Sequence, residues 1–152
     1  MKLNDTLKPF TATDQNGDVF DVSKHLGKKP LVIYFYPKNF TPGCTTEACS
    51  FRDNYQDFQD LGAEVIGISG DSESSHKRFA KKHNLPFTLL SDKDGKLRKQ
   101  FGVKKNLLGL LPGRETFIFD VDAKLILKFN SLDAKPHIRK ALKALKGLNE
   151  NN

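Results

Sequence analysis

The sequence predicts an α/β fold, a central mixed β-sheet flanked by helices on both faces, from three observations. Continuous β-branched and aromatic runs at 31–36 and 64–69 are typical of buried strands. Segments with the helical period follow these runs along the chain. Hairpin patterns open and close the chain, beginning with an N-terminal β-hairpin. Alternating strands and helices form a sheet covered by helices, and we expect residues 1–152 to form one domain.

Each predicted element has a local signal. In chain order, the elements are a hairpin of 10–13 and 19–22, a strand at 31–36, a helix from about 44 to 61, a strand at 64–69, a helix at 72–84, a strand at 87–90, a short helix through 97 and 101, a hairpin of 116–120 and 124–129, and a helix at 133–148. Asn16-Gly17 favours the first turn. Gly62 is a typical helix end, and Ser72 or Ser74 is a candidate N-cap.

No metal or cofactor site is expected. His76 and His83 lie seven residues apart on one side of the predicted 72–84 helix, but no carboxylate or thiolate lies near them at ligand spacing. We therefore expect them to be surface histidines. The two cysteines of the chain are also too few for a closed zinc site, which needs four ligands.

Residues 104–113 contain four leucines between glycine and proline residues, which is unusual for a loop. Two interpretations remain open. The segment either folds onto the core, or it forms an exposed apolar rim that serves subunit contact or reductant docking.

The composition is that of a soluble globular protein, with 38% hydrophobic and 28% charged residues. The formal charge of +7 comes from 25 basic and 18 acidic residues, and the lysines are spread between Lys2 and Lys146 without an arginine-rich stripe, so we expect no nucleic-acid partner. The N-terminal residues lack the apolar run of a signal peptide, and no stretch is long enough to span a membrane. A cytoplasmic location without membrane attachment is expected.

The chemistry is expected at Cys44, which lies where the strand at 31–36 gives way to a helix. A free thiol with a pKa of about 8.5 is only about 3% ionised at pH 7. A helix start stabilises an anion by about 0.3–1 kcal/mol, less than the roughly 2.7 kcal/mol needed for a pKa about two units lower. A cation and hydroxyl donors should supply the remainder, and Thr41 is a candidate whose hydroxyl could fold back on the sulfur.

Cys49 lies five residues after Cys44. On an intact helix their Cα atoms would lie roughly 8.6 Å apart on nearly opposite faces, beyond the about 7 Å that a disulfide spans. A bond between them therefore requires the first turns of the helix to unwind. Such a strained disulfide should be comparatively easy to reduce.

Residues 37–44, Pro-Lys-Asn-Phe-Thr-Pro-Gly-Cys, resemble the peroxiredoxin pattern Pro-x-x-x-Thr-x-x-Cys. The second cysteine five residues later resembles the bacterioferritin-comigratory-protein, or Q-type, class of that family. The similarity extends from about Leu7 to Leu145, although Asn39 stands where relatives often carry Asp. The resemblance implies a thioredoxin-like fold and a monomer, with a dimer through 104–113 as the alternative.

The resemblance also implies a role for each site residue. Cys44 would be the peroxidatic cysteine, Cys49 the resolving cysteine, and Arg114 the cation that approaches the sulfur. Thr41 and Arg114 would hold the peroxide oxygens, and Pro37 would shield the sulfur from water. The implied activity is reduction of hydrogen peroxide and organic hydroperoxides through a sulfenic acid and an intramolecular Cys44–Cys49 disulfide, recycled by thioredoxin or a similar dithiol.

Alternatives remain. A thiol–disulfide oxidoreductase would use the same cysteines, but its usual motif is Cys-x-x-Cys, whereas four residues separate the cysteines here. A non-enzymatic redox sensor or nucleic-acid-binding module would use the basic surface, and its binding would weaken steeply with salt. The sequence also leaves open whether Glu47 handles protons or only favours the helix start through its charge.

Overall fold

The computed structural model describes residues 1–103, 113–131 and 133–150, so the leucine-rich segment lies almost wholly outside the described residues. The elements are β1 (Thr11–Asp14), β2 (Val19–Asp21), β3 (Leu31–Phe35), α1 (Pro42–Asp53), α2 (Tyr55–Asp60), β4 (Glu64–Ser69), α3 (Glu73–His83), β5 (Thr88–Ser91), α4 (Lys96–Phe101), β6 (Glu115–Phe119), β7 (Leu125–Asn130) and α5 (Lys135–Glu150). A short 3-10 turn, Val22–Lys24, follows β2. The order of elements is the one that the sequence predicts.

The strands form one seven-stranded sheet in the order β2-β1-β5-β4-β3-β6-β7. The central strands β3, β4 and β5 run parallel, while β1 joins β5 and β6 joins β3 in the antiparallel sense. The β1–β2 hairpin forms one edge and the β6–β7 hairpin the other. The predicted mixed sheet with an N-terminal hairpin is therefore confirmed.

Both faces of the sheet are covered. All five residues of β3 are buried, and they alternate between two cores. Val32 and Tyr34 pack in the core that also contains buried residues of α1, α2, α3 and α5. Ile33 and Phe35 pack in the core that contains Phe101 of α4 and residues of the N-terminal segment. This arrangement explains why the strand is a continuous apolar run rather than an alternating one.

The long helix predicted from about 44 to 61 is wrong in one respect, because it is interrupted at Asn54. Asn54 has φ −104° and ψ 9°, and it separates α1 from α2. Its side-chain amide donates to the carbonyl of Ser50 at 2.7 Å, the same carbonyl that accepts from its own backbone N–H at 3.1 Å. A short polar side chain that competes for backbone partners in this way ends a helix.

The expectation of surface histidines is wrong for His76, which has no exposed surface, whereas His83 is half-buried. His76 lies three residues before Phe79 on the inner face of α3, so both side chains point into the protein. Its Nε2 donates to the carbonyl of Leu90 at 3.1 Å, and its Nδ1 lies 2.9 Å from the side-chain amide nitrogen of Asn39. His76 is thus a hydrogen-bonded core residue.

The described part of the chain contains no helix that is both long and apolar enough to cross a membrane. Its longest helix, α5, has 16 residues and carries lysines and arginine along its length. Within residues 1–103, 113–131 and 133–150, no three or more His, Cys, Asp or Glu side chains lie close enough together to hold a metal ion.

Candidate active site

Cys44 is the third residue of α1. Thr41 is the N-cap with extended backbone angles, and Pro42 follows as the first helical residue, where its fixed φ suits the helix and its missing N–H costs nothing. The backbone N–H groups of the first turn, which includes Gly43 and Cys44, have no partner within the helix. Cys44 is only 1% exposed and is not in a disulfide, so its sulfur lies beside the positive end of the helix in a nearly dry environment.

Arg114 is the cation that we expect beside the sulfur of Cys44. It directly precedes β6, the neighbour of β3, and it is 4% exposed. Its Nη2 donates to the sulfur of Cys44 at 3.2 Å, and its Nη1 donates to Oε1 of Glu47 at 2.5 Å. A Cβ at Gly43 would lie 3.1 Å from Nη2, so the absence of a side chain there leaves room for the guanidinium.

Glu47 is completely buried one turn of α1 after Cys44. Burial raises the pKa of its carboxyl to about 8, and the charge and hydrogen bond of Arg114 only partly oppose this rise. Its Oε2 atom has no hydrogen-bond partner in the described part of the chain. Burial therefore favours the neutral acid, whereas the contact with Arg114, which has the geometry of an ion pair, favours the carboxylate.

His137 of α5 lies against the unpaired oxygen of Glu47. Its Nδ1 is 3.8 Å from Oε2 and 2.8 Å from the hydroxyl oxygen of Thr116 in β6, and its Nε2 lies 2.8 Å from the carbonyl of Ser131. Burial lowers the pKa of His137 to about 4, so the ring is neutral. These contacts complete what we call the site cluster: Cys44, Glu47, Arg114, Thr116 and His137.

Arg98 of α4 is a second cation near the site, and it is half-buried. It donates to the carbonyl of Tyr36 at 2.6 Å and to that of Gly113 at 3.1 Å. Burial lowers its pKa, and the nearby groups Asp92 and Cys44 oppose this shift. Arg98 therefore ties the end of β3 to the residue that precedes Arg114.

The other predicted site residues lie around the same helix start. Thr41 donates its hydroxyl to the carbonyl of Lys38 at 2.8 Å, so the expected bond from this hydroxyl to the sulfur of Cys44 is not present between these two described residues. Pro37 is half-buried in the loop that follows β3. Cys49 is half-buried and unbonded, and α1 runs unbroken through both cysteines.

A second polar network, in which three of the five residues are buried, fixes the loop that leads to the site. The hydroxyl of Tyr36 donates to Oδ1 of Asn39 at 2.6 Å, and the backbone N–H of Asn39 donates to Asp71 at 2.9 Å. The side-chain amide of Asn39 contacts Ser75 and His76 at 3.2 and 2.9 Å. We call Tyr36, Asn39, Asp71, Ser75 and His76 the loop cluster.

Sequence reasoning missed three members of the site. His137 lies four residues before the buried Ala141, on the apolar face of α5, and that spacing could have marked it as buried. Thr116 carried no signal apart from its place in a strand. Arg98 carried none, because its contacts are with backbone carbonyls that lie distant in sequence.

The comparisons with known proteins agree on the family. Residues 3–128 match the AhpC/TSA family. The chloroplastic peroxiredoxin Q of Sedum lineare is 53% identical over 144 residues, which cover 94% of this chain and 77% of that protein. Its counterpart from Populus jackii is 52% identical over 150 residues, covering 97% of this chain and 70% of that protein.

Solved structures agree in fold. Peroxidoxin BcpB from Mycobacterium tuberculosis matches with a TM-score of 0.86 and 41% identity over 97% of each chain. The bacterioferritin comigratory protein of Xanthomonas campestris, studied for alkyl peroxide reduction, matches with a TM-score of 0.83 and 34% identity over 91% of this chain and 90% of that one. The thioredoxin-like fold is therefore confirmed, and the chain belongs to the AhpC/TSA family as a peroxiredoxin of the bacterioferritin-comigratory-protein or Q type, which makes it a peroxidase.

Proposed function

We propose that this peroxidase reduces hydrogen peroxide and organic hydroperoxides through the thiolate of Cys44. The sulfur attacks the terminal peroxide oxygen, the S–O bond forms as the O–O bond breaks, and the leaving oxygen takes a proton and departs as water or alcohol. The sulfur loses two electrons and becomes a sulfenic acid. The observation that carries this proposal is the 3.2 Å contact between Nη2 of Arg114 and the sulfur at the start of α1.

The groups around the sulfur can stabilise the charge that moves onto the leaving oxygen. Arg114 and the N–H groups of Gly43 and Cys44, which have no partner within α1, are donors that are already oriented before substrate arrives. The hydroxyl of Thr41 donates to Lys38, which leaves its oxygen lone pairs free to accept a hydrogen bond from the hydroperoxide. Pro37 would shield the sulfur from water.

Cys49 is the proposed resolving cysteine. Its sulfur would attack the sulfenic acid of Cys44, forming the S–S bond and releasing the sulfenic oxygen as a second water. Support comes from α1, which is continuous from Pro42 to Asp53 and therefore holds the two thiols on different sides of one helix. The first turns of α1 must unwind for the disulfide to form.

An external dithiol of the thioredoxin type would then reduce the Cys44–Cys49 disulfide by thiol exchange. Organic hydroperoxides are included as substrates because the Xanthomonas campestris relative was studied for alkyl peroxide reduction.

The cytoplasmic location and the monomeric state stay predictions, and the plant relatives are named as chloroplastic proteins.

Rapid mixing of reduced protein with peroxide tests the proposal, with each cysteine variant serving as the control for the other. Cys44→Ser should consume no peroxide. Cys49→Ser should reduce one equivalent of peroxide per subunit at the wild-type rate and then stop, because thioredoxin cannot recycle it. Sustained peroxide turnover by Cys44→Ser, or thioredoxin-dependent turnover by Cys49→Ser, would contradict the assignment.

A further inference from the structure

The guanidinium of Arg114 is shared by two acidic groups. One of its nitrogens donates to Cys44 and another to Glu47, and all three groups are nearly or completely buried. If Cys44 and Glu47 were both ionised, two negative charges would lie beside this one positive charge. Like charges in one buried site disfavour double ionisation, so one of the two groups keeps a proton.

The surroundings of Glu47 indicate which group holds that proton. Its Oε1 accepts a hydrogen bond from Arg114, but no donor among the described residues bonds its buried Oε2. An ionised carboxylate would leave charge on this unpaired oxygen, which is costly in a dry site. A proton on Oε2 removes the charge from this oxygen and so lowers that cost.

His137, whose Nδ1 lies 3.8 Å from Oε2, offers this oxygen a lone pair instead of a hydrogen. Nε2 of His137 faces the carbonyl of Ser131 at 2.8 Å and must donate, because a carbonyl only accepts. In the neutral ring Nδ1 then carries the lone pair, which accepts from Thr116 at 2.8 Å and lies 3.8 Å from Oε2. A lone pair beside Oε2 repels a carboxylate and tolerates a carboxylic acid.

We propose that Cys44 and Glu47 hold a single proton between them beside Arg114, and that neutral His137 keeps this proton on Glu47 so that Cys44 is the anion. His137 is then a positioning residue for the reaction, since it acts through Glu47 and does not contact the sulfur. The inference rests on the proposed role of Cys44 as the nucleophile. It gives Glu47 a function as the proton store of the site.

The other titratable and charged groups that face Cys44 and Glu47 do not change the number of protons that this pair holds. Burial raises the pKa of Tyr34 and Tyr36 well above the usual phenol value, so both are neutral. Arg98 interacts electrostatically with Cys44, and Asp133 interacts electrostatically with His137. The raised pKa of Glu47, which burial dominates, agrees with the assignment from geometry.

Infrared difference spectroscopy of the reduced protein tests the location of the proton directly. At pH 7 the wild type should show the C=O band of a protonated carboxyl that disappears in Glu47→Gln. Glu73→Gln is the matched control and should keep the band, because the hydrogen bond from Lys93 lowers the pKa of Glu73. In Cys44→Ser the band should titrate about one pH unit lower, since no thiolate then shares Arg114. A missing band, or one that is insensitive to Cys44, would overturn the inference.

A pair of amide variants tests the role of His137. His137→Asn places a side-chain amide near the position of Nδ1, where it can donate to Glu47. His137→Gln places its amide near the position of Nε2 and keeps the bond to Ser131. Both are made in a Thr116→Val background, so that the hydroxyl that contacts Nδ1 is absent from both variants and cannot find a different partner in one of them. The ultraviolet absorbance of the thiolate reports the titration of Cys44.

His137→Asn should raise the midpoint of the thiolate titration by about one pH unit relative to His137→Gln, and should slow peroxide reduction about tenfold at pH values below both midpoints. The difference should vanish when Glu47→Gln is added. Equal midpoints for Asn and Gln, or a difference that survives Glu47→Gln, would overturn the role of His137. Failure of this inference can be told apart from failure of the proposed function. Peroxide turnover by Cys44→Ser would refute the proposed function whatever these titrations show.

Discussion

The site cluster and the loop cluster are both buried polar networks built around a neutral histidine, yet they differ in one respect. In the loop cluster, His76 and Asn39 bind each other, and within the described residues no buried side-chain polar atom of that cluster lacks a partner. In the site cluster, Oε2 of Glu47 has none. The loop cluster has one satisfied arrangement, whereas the site cluster contains a proton that can change place.

This difference separates rigidity from reactivity. A fully paired buried network favours a single geometry, which suits the loop that carries Asn39 and leads to Thr41 and α1. A network with an unpaired acidic oxygen is less stable, and in this one Arg114 donates to the sulfur of Cys44 as well as to Glu47. Variants in the first network should therefore change stability, whereas variants in the second should change the rate and, through Glu47, the pH dependence of stability.

The largest effect is expected from Arg114→Met, which removes the cation of the site cluster. The second-order rate of thiol oxidation by peroxide should fall about 10²- to 10³-fold, the usual loss when one oriented donor is removed. Rapid-mixing kinetics would measure it. Arg139→Met, on the exposed side of α5, is the matched control and should keep the wild-type rate. A loss of less than about tenfold for Arg114→Met would contradict the role of this contact.

His76→Leu tests the loop cluster and should act on stability instead. Asn39 and the carbonyl of Leu90 would each lose a buried partner, which we expect to lower the free energy of unfolding by about 2 kcal/mol in urea titrations. The half-buried His83 provides the comparison, and His83→Leu should change that value by less than about 0.5 kcal/mol. Equal effects of the two substitutions would show that the buried network contributes nothing.

The proton on Glu47 should appear in the pH dependence of stability. Because folding raises the pKa of this carboxyl from the ordinary 4.5 to about 8, its contribution is fully present below the unfolded value and is lost as pH rises through the folded one. The stability of the reduced wild type relative to Glu47→Gln should therefore fall between these values, by up to about 1.4 kcal/mol per pH unit. A difference independent of pH would mean that Glu47 is already ionised.

The smallest effect is expected from Gly43→Ala. The added Cβ would lie 3.1 Å from Nη2 of Arg114, so the guanidinium must shift by a few tenths of an ångström. We expect a loss of about three- to tenfold in the rate of peroxide reduction, which is about 1 kcal/mol. Gly147→Ala is the control and should leave that rate unchanged, because a Cβ there would meet nothing within 4 Å. An unchanged rate in Gly43→Ala would show that Arg114 can shift without losing its effect on the reaction.

The fold and the centre of the site were predictable because their signals are local. Apolar runs mark the strands, and the Pro-x-x-x-Thr-x-x-Cys pattern places Cys44 in the first turn of α1. The break at Asn54 was not predictable from apolar periodicity, since it depends on a side chain that competes for the carbonyl of Ser50. Aromatic side chains before and after Asn54 pack in the same core, so the apolar pattern of the sequence continues across the break.

The proton chemistry of the site was not predictable, because it depends on groups that meet only in three dimensions. Glu47, Thr116 and His137 come from α1, β6 and α5, and no spacing along the chain connects them. The partner of the Thr41 hydroxyl was predicted wrongly for the same reason. A hydroxyl at an N-cap chooses among several acceptors, and the loop conformation presents the carbonyl of Lys38.

Mass spectrometric mapping of the protein after one equivalent of peroxide tests the central claim most directly. With a sulfenic-acid trapping reagent present, Cys49→Ser should carry the adduct on Cys44. The wild type should instead show a Cys44–Cys49 bond within one chain, with faster amide hydrogen exchange in the first turns of α1. An adduct on a residue other than Cys44, or an oxidised wild type without that bond, would contradict the account.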